Sequence, residues 1–168
     1  MWGALATSDF HSEPNGDYWP CQFSATWIYA RERSAVAALE ALRSGSFAGV
    51  HGGLARGVQL TLAADGLSRA AIAGEAVRLR PTIPVTVEIR AEVPATDWAG
   101  QANRVDLVEL FGVGQNGTRV LHSGPLVDGV LRHAMPLPAG QLTIRARGRR
   151  IVEDGPDLLF YTNAIDVQ

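Results

Sequence analysis

Apolar and polar residues alternate along most of the chain after residue 57. The alternation has a period of two and is clearest in segments 58–62, 85–89, 142–146 and 165–167. This period is typical of strands that bury one face. Further short strands are predicted over 71–79, 104–112, 118–123, 130–136 and 157–162. Strands this short, with turn residues and no helices between them, predict a mainly β fold: an antiparallel, immunoglobulin-like β-sandwich.

One segment has helical periodicity instead. Ser34 is a suitable N-cap, Val36, Leu39 and Leu42 recur along one face, and Gly45 can adopt the left-handed conformation that ends a helix. The pattern predicts a single substantial helix over 34–44. Residues 1 to about 30 show little periodicity and are interpreted as a loop with a short strand at either end.

The alternating strands also predict which side chains form the core. The residues expected to be buried are Leu60, Val87, Ile89, Leu107, Ile144, Phe160 and Ile165. One turn can be predicted from its residues. The segment from Gly112 to Gly117 fits the glycine pattern of a dinucleotide site, but another strand follows it where that site needs a helix. Asn116-Gly117 is therefore interpreted as a type I′ hairpin turn.

Composition narrows the classes of function. The formal net charge is −2 and all fifteen basic residues are Arg, so there is no electrostatic reason to bind nucleic acid or an anionic membrane. A single cysteine, Cys21, excludes an internal disulfide framework. No apolar run approaches the ~20 residues of a membrane span, and a cytoplasmic location is favoured.

Asp9 and His11 are the candidate metal ligands. Two residues apart at the end of a strand, a carboxylate and an imidazole project to the same side and can reach one ion. This donor pair suits Zn, Mn or Fe. His122 and His133 lie in predicted strands with no second ligand at metal-binding spacing, and they are interpreted as satisfied or exposed histidines. His51, in the segment His51-Gly52-Gly53, is interpreted as part of a flexible turn.

Four segments together resemble the closing part of the polymerase and histidinol phosphatase (PHP) superfamily, and most nearly its CehA/McbA-type metallohydrolases. They are ATSDFHS from Ala6, TWIYA from Thr26, AVAALEALRSG from Ala35 and YTNAIDV from Tyr161. The resemblance implies a metal centre whose last two ligands are Asp9 and His11, followed by a β-sandwich. The early H-x-H motif of that family is missing, Phe10 replaces an Ala, and Ala164 replaces a Pro.

The resemblance therefore implies a C-terminal piece of a longer protein. Residues 1–46 would be the remnant of the PHP catalytic domain and residues 47–168 an accessory β-sandwich. The parent would hydrolyse a phosphoester or related ester with a divalent metal (Zn, Mn or Fe). This chain alone would be inactive and need not hold a metal, and its partner would be the missing catalytic domain.

Two alternatives stay open. In the first, the sandwich is a binding module for carbohydrate, a peptide or a partner protein, with Trp98 in the Pro94–Gly100 loop as an exposed aromatic contact. In the second, it is a purely structural spacer. The sequence does not decide the substrate, the metal or the oligomeric state.

Overall fold

Alternating apolar residues form the strands of this protein, as the computed structural model shows. The model describes residues 5–7, 19, 21–138 and 140–168. In these ranges there is one helix, α1 (Ala35–Ser44). The strands are β1 (Ser24–Ile28), β2 (Phe47–His51), β3 (Arg56–Ala64), β4 (Ala71–Ile72), β5 (Ala76–Val77), β6 (Pro84–Glu92), β7 (Leu107–Gly114), β8 (Gly117–Gly124), β9 (Val130–Pro136), β10 (Leu142–Arg150), β11 (Leu158–Thr162) and β12 (Ile165–Val167).

The strands form two sheets. In the larger one, sheet A, the order is β1-β2-β11-β10-β7-β8, and β12 pairs with the first half of β10 alongside β11. The smaller one, sheet B, has the order β4-β3-β6-β9. All pairings between these strands are antiparallel except a short parallel contact of β12 with β5. The predicted antiparallel β-sandwich with one short helix is confirmed.

The core lies between the inner faces of the two sheets. Six of the seven predicted core residues are buried: Leu60, Val87, Ile89, Ile144, Phe160 and Ile165. The prediction for Leu107 is wrong, because β7 buries the opposite set, Val108 and Leu110, and leaves Leu107 half-buried. Both faces of β7 carry large apolar residues, so its sequence alone does not select the inner one.

Helix α1 begins and ends as its sequence predicts. The Ser34 hydroxyl accepts a hydrogen bond from the Ala37 N–H at 3.1 Å, and Gly45 closes the helix at φ 82°. The helix nevertheless buries two small residues, Ala37 and Ala41. The larger apolar side chains on its other face, Val36 and Leu39, are 66% and 52% exposed.

Strand β2 has no counterpart among the predicted strands. β1 and β11 pair with its two edges, so it lies inside the sheet. Four of its five residues are buried. A strand buried on both faces loses the alternation that identifies a half-buried one. The predicted strand 71–79 is divided into β4 and β5 around Gly74, whose φ is 94°.

The β7–β8 hairpin turns one residue earlier than predicted. Gly114 pairs with Gly117, so Gln115 and Asn116 are the two central residues of the turn. Neither has the positive φ that a type I′ turn requires, whereas Gly117 has φ 99°. The type I′ prediction is therefore wrong, and the positive φ falls on the first residue of β8.

The predicted boundary at residue 46/47 falls between strands of one sheet. β1 lies before it and β2 after it, and they pair over five residues, from Ser24 with His51 to Ile28 with Phe47. The division into two domains stays a prediction. No helix in the described ranges is long and apolar enough to cross a bilayer.

Candidate functional site

Asp9 and His11 lie outside the described residues. The nearest described part of the chain, residues 5–7, is hydrogen-bonded to β1 through one side chain. The Thr26 hydroxyl accepts a hydrogen bond from the Ala6 N–H at 3.0 Å and donates one to the Ala6 carbonyl at 2.9 Å. Thr26 belongs to the TWIYA segment and Ala6 to ATSDFHS. Two of the segments that carry the family resemblance are thus in direct contact.

The sequence predicts two ligands for a metal ion, Asp9 and His11. Asp9 and His11 supply one oxygen and one nitrogen, a combination that suits Zn, Mn or Fe. Within the described ranges, no group of three or more His, Cys, Asp or Glu side chains is arranged to hold a metal ion. Since a catalytic zinc site takes about three protein ligands, the described residues do not complete one, and we assign no catalytic step to this chain.

The structure places His51 in a polar cluster that the sequence did not indicate. Its Nδ1 lies 2.8 Å from the Ser24 Oγ, and its Nε2 lies 3.5 Å from the Tyr161 hydroxyl. Ser24 is directly opposite His51 in the β1–β2 pairing, and Tyr161 arrives from β11. Burial lowers the pKa of His51 and raises the pKa of Tyr161, so both groups are neutral near pH 7.

His122 and His133 face each other across an open side of the sandwich. They lie on the edge strands β8 and β9, and their rings stack with centroids 4.1 Å apart and an interplanar angle of 6°. Burial, and secondarily the neighbouring His122, lower the pKa of His133. The predicted structural interpretation of these histidines agrees with this geometry, in which each ring covers the other.

Trp98 lines a cleft at one end of the sandwich. The cleft has a volume of 370 Å³, and Trp27 and Arg56 contribute to it as well. Trp98 is 37% exposed and Trp27 is 40% exposed. The ring of Phe23 meets the Trp98 ring edge-on, with centroids 5.4 Å apart.

The loop that carries Trp98 is held by its aspartate. The Asp97 carboxylate accepts hydrogen bonds from the Ala99 and Gln101 N–H groups, both at 2.9 Å, and forms an ion pair with Arg150 at 2.8 Å. The backbone N–H of Trp98 donates a hydrogen bond to the Gly52 carbonyl at 3.1 Å. Trp98 is therefore presented by a fixed loop.

Sequence reasoning missed the contacts between strands that are far apart in the chain. Ser24, His51 and Tyr161 meet only because β1, β2 and β11 are neighbours. The one local signal was the pair of polar residues, Ser24 and His51, at the ends of otherwise apolar strands. Comparison of the chain with protein-family models, curated proteins and solved structures found no match.

Proposed function

We propose that this chain is the accessory β-sandwich of a PHP-like metal-dependent hydrolase. In this proposal it supplies Asp9 and His11 to a metal centre whose remaining ligands come from a catalytic domain. The parent protein hydrolyses a phosphoester or related ester, and the chain alone is inactive. The basis is the resemblance of four segments, together with the features of α1 and β1 described above.

The observation that carries the proposal is the exposed apolar face of α1. A helix on the surface of a self-sufficient domain buries its large apolar residues and exposes its polar ones. Here Val36 and Leu39 are exposed while Ala37 and Ala41 are buried. Trp27 and Ile28 on β1 are also more than a third exposed. Apolar surface of this kind is expected where another domain packs.

The attachment of residues 5–7 supports the same proposal. The two hydrogen bonds between Thr26 and Ala6 join the sandwich to the segment that leads to Asp9 and His11. The accessory domain would therefore fix the position of the last ligand segment relative to the rest of the centre. Its role would be to position these ligands.

A metal titration of this chain tests the ligand assignment. We expect weak binding of Zn²⁺ and Mn²⁺, loss of most of that binding in His11→Ala, and no turnover of bis(p-nitrophenyl) phosphate, because two ligands leave most of the coordination sphere to solvent. His51→Gln is the matched control, since it removes a histidine that is not a predicted ligand and that is bonded to Ser24. Isothermal titration calorimetry gives the affinities.

Two results would contradict the proposal. Equal metal binding by the His11→Ala variant would remove this residue from the centre, and metal-dependent turnover by the chain alone would remove the need for a catalytic domain. The coding sequence upstream in the same reading frame provides an independent check, since the proposal requires an H-x-H motif and further His and Glu ligands there.

The Trp98 cleft favours a second candidate function, a carbohydrate-binding module. Two partly exposed tryptophans on fixed elements provide flat apolar surfaces against which a sugar ring can stack, and Arg56 lies beside them. In this alternative the sandwich binds a glycan itself, and Trp27 is a sugar contact instead of part of a surface that another domain covers.

For this candidate we expect cellohexaose or maltohexaose to change the tryptophan fluorescence of the chain. Trp98→Ala should abolish the change, because one of the stacking surfaces is lost. Trp19→Phe is the control, since Trp19 is exposed but does not line the cleft. An unchanged spectrum with both sugars, or an equal response from the Trp98→Ala variant, would rule this function out.

A further inference from the structure

The outer face of sheet A carries a row of arginines on β10. Because successive side chains of a strand alternate between faces, Arg145, Arg147 and Arg149 share the face opposite to the buried Ile144 and Ala146. Long charged side chains lie across a sheet in this way most stably when each has an acidic partner. The partners of these three arginines differ.

Two of the three arginines are paired. Arg147 donates from Nε and Nη2 to one oxygen of Glu109, at 3.1 and 2.8 Å, and Arg149 lies 3.7 Å from the Asp157 carboxylate. Arg145 has no ion pair with any residue in the described part of the chain, although its side chain is only partly exposed. The nearest acidic residue along the neighbouring strand, Asp166, accepts a hydrogen bond from Thr143 at 2.8 Å instead.

A depression lies directly beside Arg145. It has a volume of 390 Å³ and is lined by Phe111, Val113, Thr118, Arg145, Ala146, Arg147 and Tyr161. The register explains this arrangement, since Arg145 is opposite Phe111 on β7 and Arg147 is opposite Tyr161 on β11. The floor is therefore apolar, while guanidinium and hydroxyl groups stand around it.

The polar groups around the depression are hydrogen-bond donors. The Arg147 guanidinium lies over the Phe111 ring, 5.3 Å from its centroid, and its Nε and Nη2 donate to Glu109. Burial raises the pKa of Tyr161, so its phenol keeps its proton near neutral pH. The Tyr161 hydroxyl itself lies beside His51 and Gly49 on β2, so we assign it no contact with a ligand in this depression.

We propose that this depression binds a small organic carboxylate. Its apolar body would pack against Phe111 and Val113, and its carboxylate would be held by Arg145. A partly buried guanidinium without an acidic partner is stabilised by such an anion, and a planar fork of N–H donors matches a carboxylate. The proposal does not rest on the proposed metal-hydrolase function, since the described residues that it uses lie on β7, β8, β10 and β11.

The test uses benzoate and its neutral isostere, benzamide, with the full chain. We expect benzoate to perturb the backbone amide NMR signals of Arg145, Phe111 and Tyr161. Benzamide should bind roughly tenfold more weakly or worse, because it carries no charge and cannot form an ion pair with a guanidinium. Acetate, which has the charge without the ring, should also bind more weakly than benzoate.

Arg145→Gln should reduce the affinity for benzoate roughly tenfold or more. Arg78→Gln is the matched control, since Arg78 is exposed and does not line this depression. If the Arg145→Gln variant does not fold, Arg145→Lys, which keeps the charge but loses the planar fork of donors, should still show weakened benzoate binding on a preserved fold. EDTA should leave benzoate binding unchanged, which separates this site from any metal centre.

Three results would overturn the proposal: no benzoate binding at millimolar concentration, equal affinity for benzoate and benzamide, or unchanged benzoate affinity in both Arg145→Gln and Arg145→Lys. Inorganic phosphate is included in the same titration. A phosphate affinity above that of benzoate would also overturn the assignment, because it would show a site that does not use the apolar floor.

Discussion

Replacing Phe160 by Ala is expected to destabilise the fold by about 3–5 kcal/mol. Phe160 is fully buried on β11, directly opposite Gly148 on β10. A Cβ added at Gly148 would lie 2.2 Å from two ring carbons of Phe160, so the ring occupies the space that this glycine leaves. Removing the Phe160 ring would open a cavity on the buried face of sheet A. Urea denaturation monitored by circular dichroism gives the free energy of unfolding.

The same contact predicts a specific coupling between the two positions. Gly148→Ala alone should be destabilising, because the new methyl group collides with a fully buried ring that has little room to move. In the Phe160→Ala background the same methyl group should be tolerated. Val120→Ala is the surface control, since Val120 is 52% exposed, and should change stability by no more than about 0.5 kcal/mol. Additive effects of the two core substitutions would contradict this packing.

Gly74→Ala is the second substitution expected to have a large effect. Gly74 has φ 94°, and a Cβ there would lie 2.5 Å from the Ser44 carbonyl oxygen and 2.8 Å from the Ser46 nitrogen. These are backbone atoms at the end of α1, which the Gly45 cap holds in place. Positive φ costs a non-glycine residue about 1–2 kcal/mol and forced overpacking about 1–3 kcal/mol more. We expect a total loss of about 2–5 kcal/mol.

Gly66→Ala separates the two contributions to that loss. Gly66 has a similar φ of 89°, but nothing lies within 4 Å of an added Cβ. It should therefore lose only the backbone part, about 1–2 kcal/mol. The two variants are compared by thermal and urea denaturation. Equal losses in both would mean that the turn between β4 and β5 does not approach the end of α1 as closely as the structure has it.

The strands that bury one face could be predicted from the sequence, and their core residues with them. In β3, β6 and β10 one set of alternating positions is apolar and the other polar, and these strands lie where the pattern predicts. The caps of α1 were equally local, since Ser34 and Gly45 act on the helix through their own backbone neighbourhood. These strands and the helix caps depend on short segments, and their predictions were correct. The type I′ turn was also a local prediction, but it was wrong, because the hairpin turns one residue earlier.

The prediction failed where a strand presents similar residues on both faces. In β7, Leu107 and Phe111 alternate with Val108 and Leu110, and only the packing of sheet A on sheet B selects the second pair as core. β2 was missed because four of its five residues are buried, so it lacks the alternation of a half-buried strand. In α1 the large apolar residues are exposed, so their pattern identified the helix without identifying its buried face.

The candidate sites show the same difference between local patterns and contacts that only the fold creates. Asp9 and His11 are a local pattern, two residues apart, and could be proposed from the sequence. The depression beside Arg145 combines residues from β7, β8, β10 and β11, and the cluster around His51 combines β1, β2 and β11. The sequence by itself determined the half-buried strands, the helix caps and the candidate metal ligands, because each depends on residues close together in the chain. Strand order, the choice of inner face and both side-chain clusters were decided by the tertiary structure, because they depend on which distant strands become neighbours.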